Sequence, residues 1–137
     1  MGPQPSGLKH AEVTREIIRA FFAVCNELGH GYLESIYEKA LWLALAERGV
    51  LADAQRRVPV WYRQQPVGDF RADLVVADKV LVELKCARAI DPAHEAQVMN
   101  YLRATELEVG LLVNFGPEPE FKRFVFDNHL KRSLNPR

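Results

Sequence analysis

The chain is expected to fold as an α/β protein, a mixed β-sheet flanked by helices. Three observations predict this. Residues 10 to 48 carry apolar positions at helical spacing. From Arg57 onward the pattern turns to alternation and to short apolar runs. A helix with its own start signal, Asp91-Pro92, separates the apolar run ending at Lys85 from the one starting at Val109. Helix, helix, three strands, helix, strand, strand is the order of a layered α/β domain.

Each element follows from its residues. In the first helix, to residue 28, Val13, Ile17, Ile18, Phe21, Phe22, Val24, Cys25 and Leu28 make a face broad enough for a core. Gly29-His30-Gly31 interrupts it. The second helix runs from about Tyr32 to Arg48, with Leu33, Ile36, Tyr37, Ala40, Leu41, Ala44 and Leu45 as its inner face and Gly49 as its stop. Val58, Val60 and Tyr62 alternate in a strand that Gln64-Gln65-Pro66 turns back. Phe70 to Val76 and Lys79 to Lys85 are the next two strands. Asp91 caps a helix with Pro92 in its first turn, reaching about Arg103. Val109 to Phe115 is a continuous apolar strand of the kind buried on both faces, and Gly116-Pro117 ends it. Phe121 to Phe126 is read as the last strand.

A chain of 137 residues suits one domain. The boundaries read from it are a flexible tail over 1–9, a domain over 10–130 and a basic tail over 131–137. With 48% hydrophobic and 26% charged residues, the composition is that of a soluble globular protein without a membrane span. Cys25 and Cys86 are far apart and form no CxxC pair, which argues against a disulfide framework or a zinc site and for a reducing, cytoplasmic setting. Eighteen basic and eighteen acidic residues balance, so the chain does not coat nucleic acid by bulk charge. A local basic groove remains compatible with that balance.

Asp73, followed ten residues later by Glu83-Leu84-Lys85, places charges inside strands that otherwise read as buried. If the strands pair around a three-residue loop, Ala77-Asp78-Lys79, then Asp73 faces Glu83, with Arg71, Asp73 and Val75 on one face. Opposed Cβ atoms lie about 4.5–5.5 Å apart. Two carboxylates that close repel unless a cation lies between them. Oxygen ligands without His or Cys suit Mg²⁺, or Mn²⁺ in its place. Such an ion can activate a water toward a phosphodiester, with Lys85 orienting the water or holding a phosphate oxygen. The alternative is a cross-strand acidic pair on a solvated face, with Lys85 as its salt-bridge partner.

Further segments favour the metal site. Gly31-Tyr32-Leu33-Glu34-Ser35-Ile36-Tyr37 matches GxxExxY, and His94 to Tyr101 lies on the helix after the Glu-x-Lys strand. With Phe70-Arg71-Ala72-Asp73 and Gly110 to Gly116, the chain resembles the GxxExxY family of the PD-(D/E)xK nuclease superfamily over about residues 10 to 126. The resemblance implies a restriction-endonuclease-like core. It also implies metal ligation by Asp73, Glu83, the Leu84 carbonyl and Glu34, with Lys85 as the motif lysine. Gln97 and Tyr101 match the QxxxY helix motif of RecB-like nucleases, and Gln97 would assist catalysis. The strict proline before the motif aspartate is replaced by Ala72. Beside these, His94 and Arg71 are candidate substrate-binding residues with Tyr101, although a capping role suits His94 and packing suits Tyr101.

The reading that follows is a Mg²⁺-dependent nuclease hydrolysing DNA phosphodiester bonds. Its alternative is a catalytically silent nucleic-acid-binding or interaction module that keeps the fold. An enzyme of another phosphate ester ranks last, because no Gly-rich phosphate loop is present. DNA is the expected partner, and a homodimer is the economical way to present two sites.

Overall fold

Helix α1 (Ala11–Leu28) buries Ile17, Ala20, Phe21 and Val24, the i, i+3, i+4, i+7 stripe of a core-facing helix. Helix α2 (Glu34–Glu47) buries Tyr37, Leu41 and Leu45. Its inner face is narrower than expected, since Leu33 is 73% and Ile36 43% exposed. Leu33 is the extended residue before the helix, and Ile36 is one position, about 100°, off the Tyr37–Leu41–Leu45 stripe. The computed structural model describes residues 8–135. Residues 1–7 of the tail expected over 1–9, and residues 136–137 of the basic tail expected over 131–137, lie outside them.

The strands are β1 (Ala52–Tyr62), β2 (Gln65–Val76), β3 (Val80–Lys85), β4 (Val109–Asn114) and β5 (Glu120–Val125), in one sheet of order β1-β2-β3-β4-β5. All neighbours are antiparallel except β3 and β4. A parallel pair needs a crossover, which α3 (Pro92–Ala104) supplies. Helices α1 and α2 cover one face of the sheet and α3 the other. Every position of β4 is buried. The chain is α/β, a mixed five-stranded sheet flanked by helices, as expected.

The first hairpin is longer than its sequence pattern suggested. Its turn is Arg63-Gln64, both with positive φ (50° and 65°), the two-residue geometry that matches strand twist. Pro66, expected in the turn, is the second residue of β2 instead, and Pro59 is tolerated on the edge strand β1.

Both strands of this hairpin change face partway along. Phe70 and Ala72 pack with Val75 on the α3 side, whereas Leu74 and Val76 pack on the α1–α2 side. Alternation therefore breaks at Asp73. On β1 the matching residue is Gln55, with φ 53°, and the Gln55–Asp73 rung is missing between Ala54↔Leu74 and Arg56↔Ala72. The expectation that Arg71, Asp73 and Val75 share one face is corrected, because it assumed unbroken alternation.

Lys9 and Lys131 are tied to the domain. Lys9 pairs with Asp127 at 2.7 Å and Glu108 at 3.2 Å. After a 3-10 turn at Asn128–Leu130, Lys131 is buried and its ammonium donates to the carbonyls of Thr105 and Leu107 at 2.8 and 2.7 Å. Among the described residues, no helix is long and apolar enough to cross a membrane.

Candidate active site

The β2–β3 loop is the three-residue Ala77-Asp78-Lys79, and the register Val76↔Val80, Val75↔Leu81, Leu74↔Val82 points Asp73 at Glu83. The ladder stops there and side chains take over. The Leu84 amide donates to Asp73 Oδ2 at 2.8 Å, and the Asp73 amide lies 3.4 Å from Glu83 Oε2. Each carboxylate thus binds the other strand's backbone.

Glu83 is only 7% exposed and makes no ion pair among the described residues. Burial, and then the negative charge of Asp73, push its carboxyl up to about 8; the Asp73 amide and Lys85 pull the other way. Glu34, at the start of α2, adds to the rise in Glu83. Lys85 ends β3, half-buried, two residues from Glu83 and pointing to the same face of the strand.

Two residues that the sequence did not single out join the group. Gln55 Nε2 donates to Glu38 Oε1 at 2.8 Å and approaches Asp73 Oδ1 at 3.4 Å. Burial raises the Glu38 carboxyl, with Asp73 and Glu34 adding to the rise, while the Gln55 bond opposes it. The sequence signal for Glu38 was its place one turn after Glu34. Gln55 had none, since only the tertiary kink brings it in.

The GxxExxY segment builds the α2 N-terminus. Gly31 takes φ 111°, which a side chain disfavours. Tyr37 is fully buried, donates its hydroxyl to the Gly29 carbonyl at 2.6 Å and stacks on Phe115 at 4.5 Å. The motif tyrosine thereby ties the α1–α2 loop to the core beside Glu34.

A second clamp fixes the chain leaving Lys85. Asn114, fully buried at the end of β4, accepts from the Ala87 amide at 2.8 Å and donates to the Ala87 carbonyl at 3.0 Å. The Phe115 amide donates to the Lys85 carbonyl at 2.8 Å. A Cβ on Gly116 would lie 2.1 Å from the Ala87 carbonyl oxygen, so only glycine fits there. Asn114 carried a signal that went unread: an amide inside an apolar run needs buried partners.

The α3 residues are engaged with one another. Gln97 Nε2 lies 3.1 Å from Tyr101 Oη, and the Tyr101 ring stacks on Phe70 at 3.6 Å. His94 completes the helix cap: Asp91 Oδ1 accepts from the Ala93 and His94 amides, and His94 Nδ1 accepts from the Asp91 amide at 3.3 Å. Arg71 donates to the Gln55 carbonyl at 3.3 Å.

Among the described residues, no three His, Cys, Asp or Glu side chains converge closely enough to enclose a metal ion. The donor chemistry nevertheless suits Mg²⁺. Two hard carboxylates lie together, one buried without a cation, and Mg²⁺ takes only one or two protein carboxylates while keeping its waters.

A mixed sheet with helices on both faces, carrying Asp…Glu-x-Lys where β2 and β3 part, defines a class of nucleases. The chain belongs to the PD-(D/E)XK nuclease superfamily, whose family model matches residues 11–124. Two solved structures share the fold. SSO0001 is 19% identical with TM-score 0.51, over 90% of this chain and 63% of that one. An alkaline exonuclease (LHK-Exo) from Laribacter hongkongensis is 14% identical with TM-score 0.51, over 90% of this chain and 74% of that one. The chain thus spans less than two thirds of the first of these. A comparison with curated proteins gave no match.

Proposed function

We propose that this protein is a metal-dependent nuclease of the GxxExxY branch, hydrolysing phosphodiester bonds in DNA in a cytoplasmic setting. One observation carries the reading: Glu83, buried without an ion-pair partner, lies against Asp73 and next to Lys85. Burial and Asp73 favour the protonated carboxyl of Glu83 in the metal-free protein, and a divalent cation would compensate the carboxylate form instead. Asp73 and Glu83 would hold Mg²⁺, with Mn²⁺ as a substitute, and the Leu84 carbonyl and Glu34 are the further ligands that the family resemblance implies. When bound, the ion would activate water and offset the charge developing on the phosphate. Lys85 holds a phosphate oxygen or orients the attacking water, and Gln97 assists from α3. Tyr101, His94 and Arg71 border the substrate in this reading.

The test is Mg²⁺- or Mn²⁺-dependent cleavage of branched, duplex and single-stranded DNA. Loss of at least about a hundredfold in Lys85→Ala, with folding intact, is expected for a charge-stabilising group. Equal activity in the two proteins overturns the role of Lys85.

The silent-module reading keeps one observation in its favour, the backbone amides that already occupy Asp73 and Glu83. Calorimetry separates the two. Metal binding that vanishes in Asp73→Asn supports the nuclease; no binding even with DNA present supports the module. A two-fold dimer would present one site to each strand. A monomer by light scattering at working concentration counts against it.

A further inference from the structure

We propose that the face of the β1–β2 hairpin bearing Arg57 and Arg71 is a phosphate clamp that carries the nucleic-acid strand away from the site. Arg57 and Arg71 are direct cross-strand partners, so their side chains project from the same face. The adjacent pair Val58↔Phe70 points into the core beneath α3. By alternation the two guanidinium groups project to the opposite face, on the α2 side, where Gln55 meets Glu38.

Like charges directly opposite one another destabilise a sheet. Here the repulsion is hardly relieved within the chain. Arg57 is 67% exposed, and its carboxylate neighbour Asp69 is 3.8 Å away. Arg71 is exposed and, among the described residues, donates to the Gln55 carbonyl alone, at 3.3 Å. From residue 52 to 76 the hairpin carries four arginines and three aspartates, and of the arginines Arg56 is already paired with Asp53 and Asp78. Arginine presents a planar fork of donors that matches phosphate oxygens.

The position of the pair selects the ligand. The residue whose carbonyl Arg71 holds, Gln55, itself reaches Asp73. Asp73 thus reaches the arginine side of the sheet through Gln55, whereas Glu83 and Lys85 alternate with Leu84 and face α3. A polyanion bound at Asp73 would meet the two guanidinium groups across the kink. The proposal rests on the reading of the site as acting on nucleic acid.

The experiment measures binding of a fluorescein-labelled DNA duplex and of its separate strands, in EDTA so that nothing is cut. Salt is varied between about 50 and 200 mM. Arg57→Gln/Arg71→Gln is expected to bind about tenfold or more weakly, with the salt slope smaller by about one to two. Arg57→Lys/Arg71→Lys, which keeps the charge, should recover most of the slope but not all of the affinity. Arg15→Gln, an exposed charge on α1, should bind as wild type. Unfolding midpoints of the variants serve as the folding control.

Wild-type affinity and slope in the double Gln variant overturn the clamp, as does a wild type that binds neither probe. The outcomes also separate the two claims. Cleavage by the wild type together with unchanged binding in the double variant sinks the clamp and leaves the nuclease. Arginine-dependent binding without any metal-dependent cleavage sinks the nuclease and leaves the clamp.

Discussion

Asp73 and Glu83 each hold the other's strand. Asp73 Oδ2 accepts from the Leu84 amide at 2.8 Å, while the Asp73 amide lies 3.4 Å from Glu83 Oε2. The side chains close the gap where the β2–β3 ladder ends, and they do so by bringing two carboxyl groups together. Burial and the charge of Asp73 raise one of them, Glu83, to about 8. The pair is therefore a structural joint and a candidate cation site at once.

Stability of the metal-free protein should fall as pH rises through the range set by Glu83. Its carboxyl is raised from 4.5 to about 8. Below the unfolded value both states hold the proton, and the contribution is fully present. Between the two values the unfolded chain has lost the proton and the folded chain keeps it. Each unit of pH then lowers stability by at most about 1.4 kcal/mol. Denaturant titrations in EDTA from pH 5 to 8 measure the slope, and Glu83→Gln should flatten it. An equal slope in that variant refutes the assignment. Added Mg²⁺ should stabilise the wild type most at the alkaline end, where the carboxylate forms.

Tyr37→Phe should cost about 1–2 kcal/mol, since the ring still stacks on Phe115 but the buried hydroxyl no longer satisfies the Gly29 carbonyl. Because that bond ties down the loop before Glu34, metal affinity should drop along with stability. Chemical denaturation and calorimetry on the same variant check both. Lost stability with unchanged metal affinity would confine Tyr37 to the core.

Asn114→Leu should cost about 2–4 kcal/mol, because the amide and carbonyl of Ala87 both lose their partner. Gly116→Ala should be comparable or worse, its Cβ falling 2.1 Å from the Ala87 carbonyl oxygen. Hydrogen exchange at residues 86–90 should speed up in any variant that still folds. Protection equal to wild type would show that Asn114 does not anchor this loop.

Lys131→Met should destabilise by about 1–3 kcal/mol, leaving the Thr105 and Leu107 carbonyls without a donor. Burial pushes the lysine pKa down to about 8, against the pull of Glu108, Glu106 and Asp127. In the folded state its proton is released first. Stability linked to this group should accordingly rise between about pH 8 and 10.5, and Lys131→Met should lack that rise. Thermal unfolding across that range measures it. A wild type no more stable at the alkaline end would contradict the burial argument.

The helices and the central strands were legible because their signals are local. Helical spacing in α1, the Asp91-Pro92 start of α3 and the apolar run of β4 each lie within one segment. The approach of Asp73 to Glu83 was conditional on a three-residue loop, and the β2–β3 register supplies that loop. Glu34 came from the motif resemblance, not from periodicity. Leu33 and Ile36 were misplaced because Leu33 precedes the helix and Ile36 lies about 100° off its buried stripe. Gln55 and Glu38 were missed because their bond spans residues that no local pattern relates.

By itself, the sequence determined the α/β class and the order of elements, and it singled out Asp73, Glu83 and Lys85 on adjacent strands. These depend on periodicity, turn chemistry and register, which are short-range. Only the tertiary structure decided that alternation breaks at Asp73, that Asn114 and Gly116 seat the chain after Lys85, and that Arg57 stands beside Arg71. Those features arise where strands kink, cross or pair over long separations. There the cost of a buried polar group or a crowded backbone is set by neighbours distant in sequence.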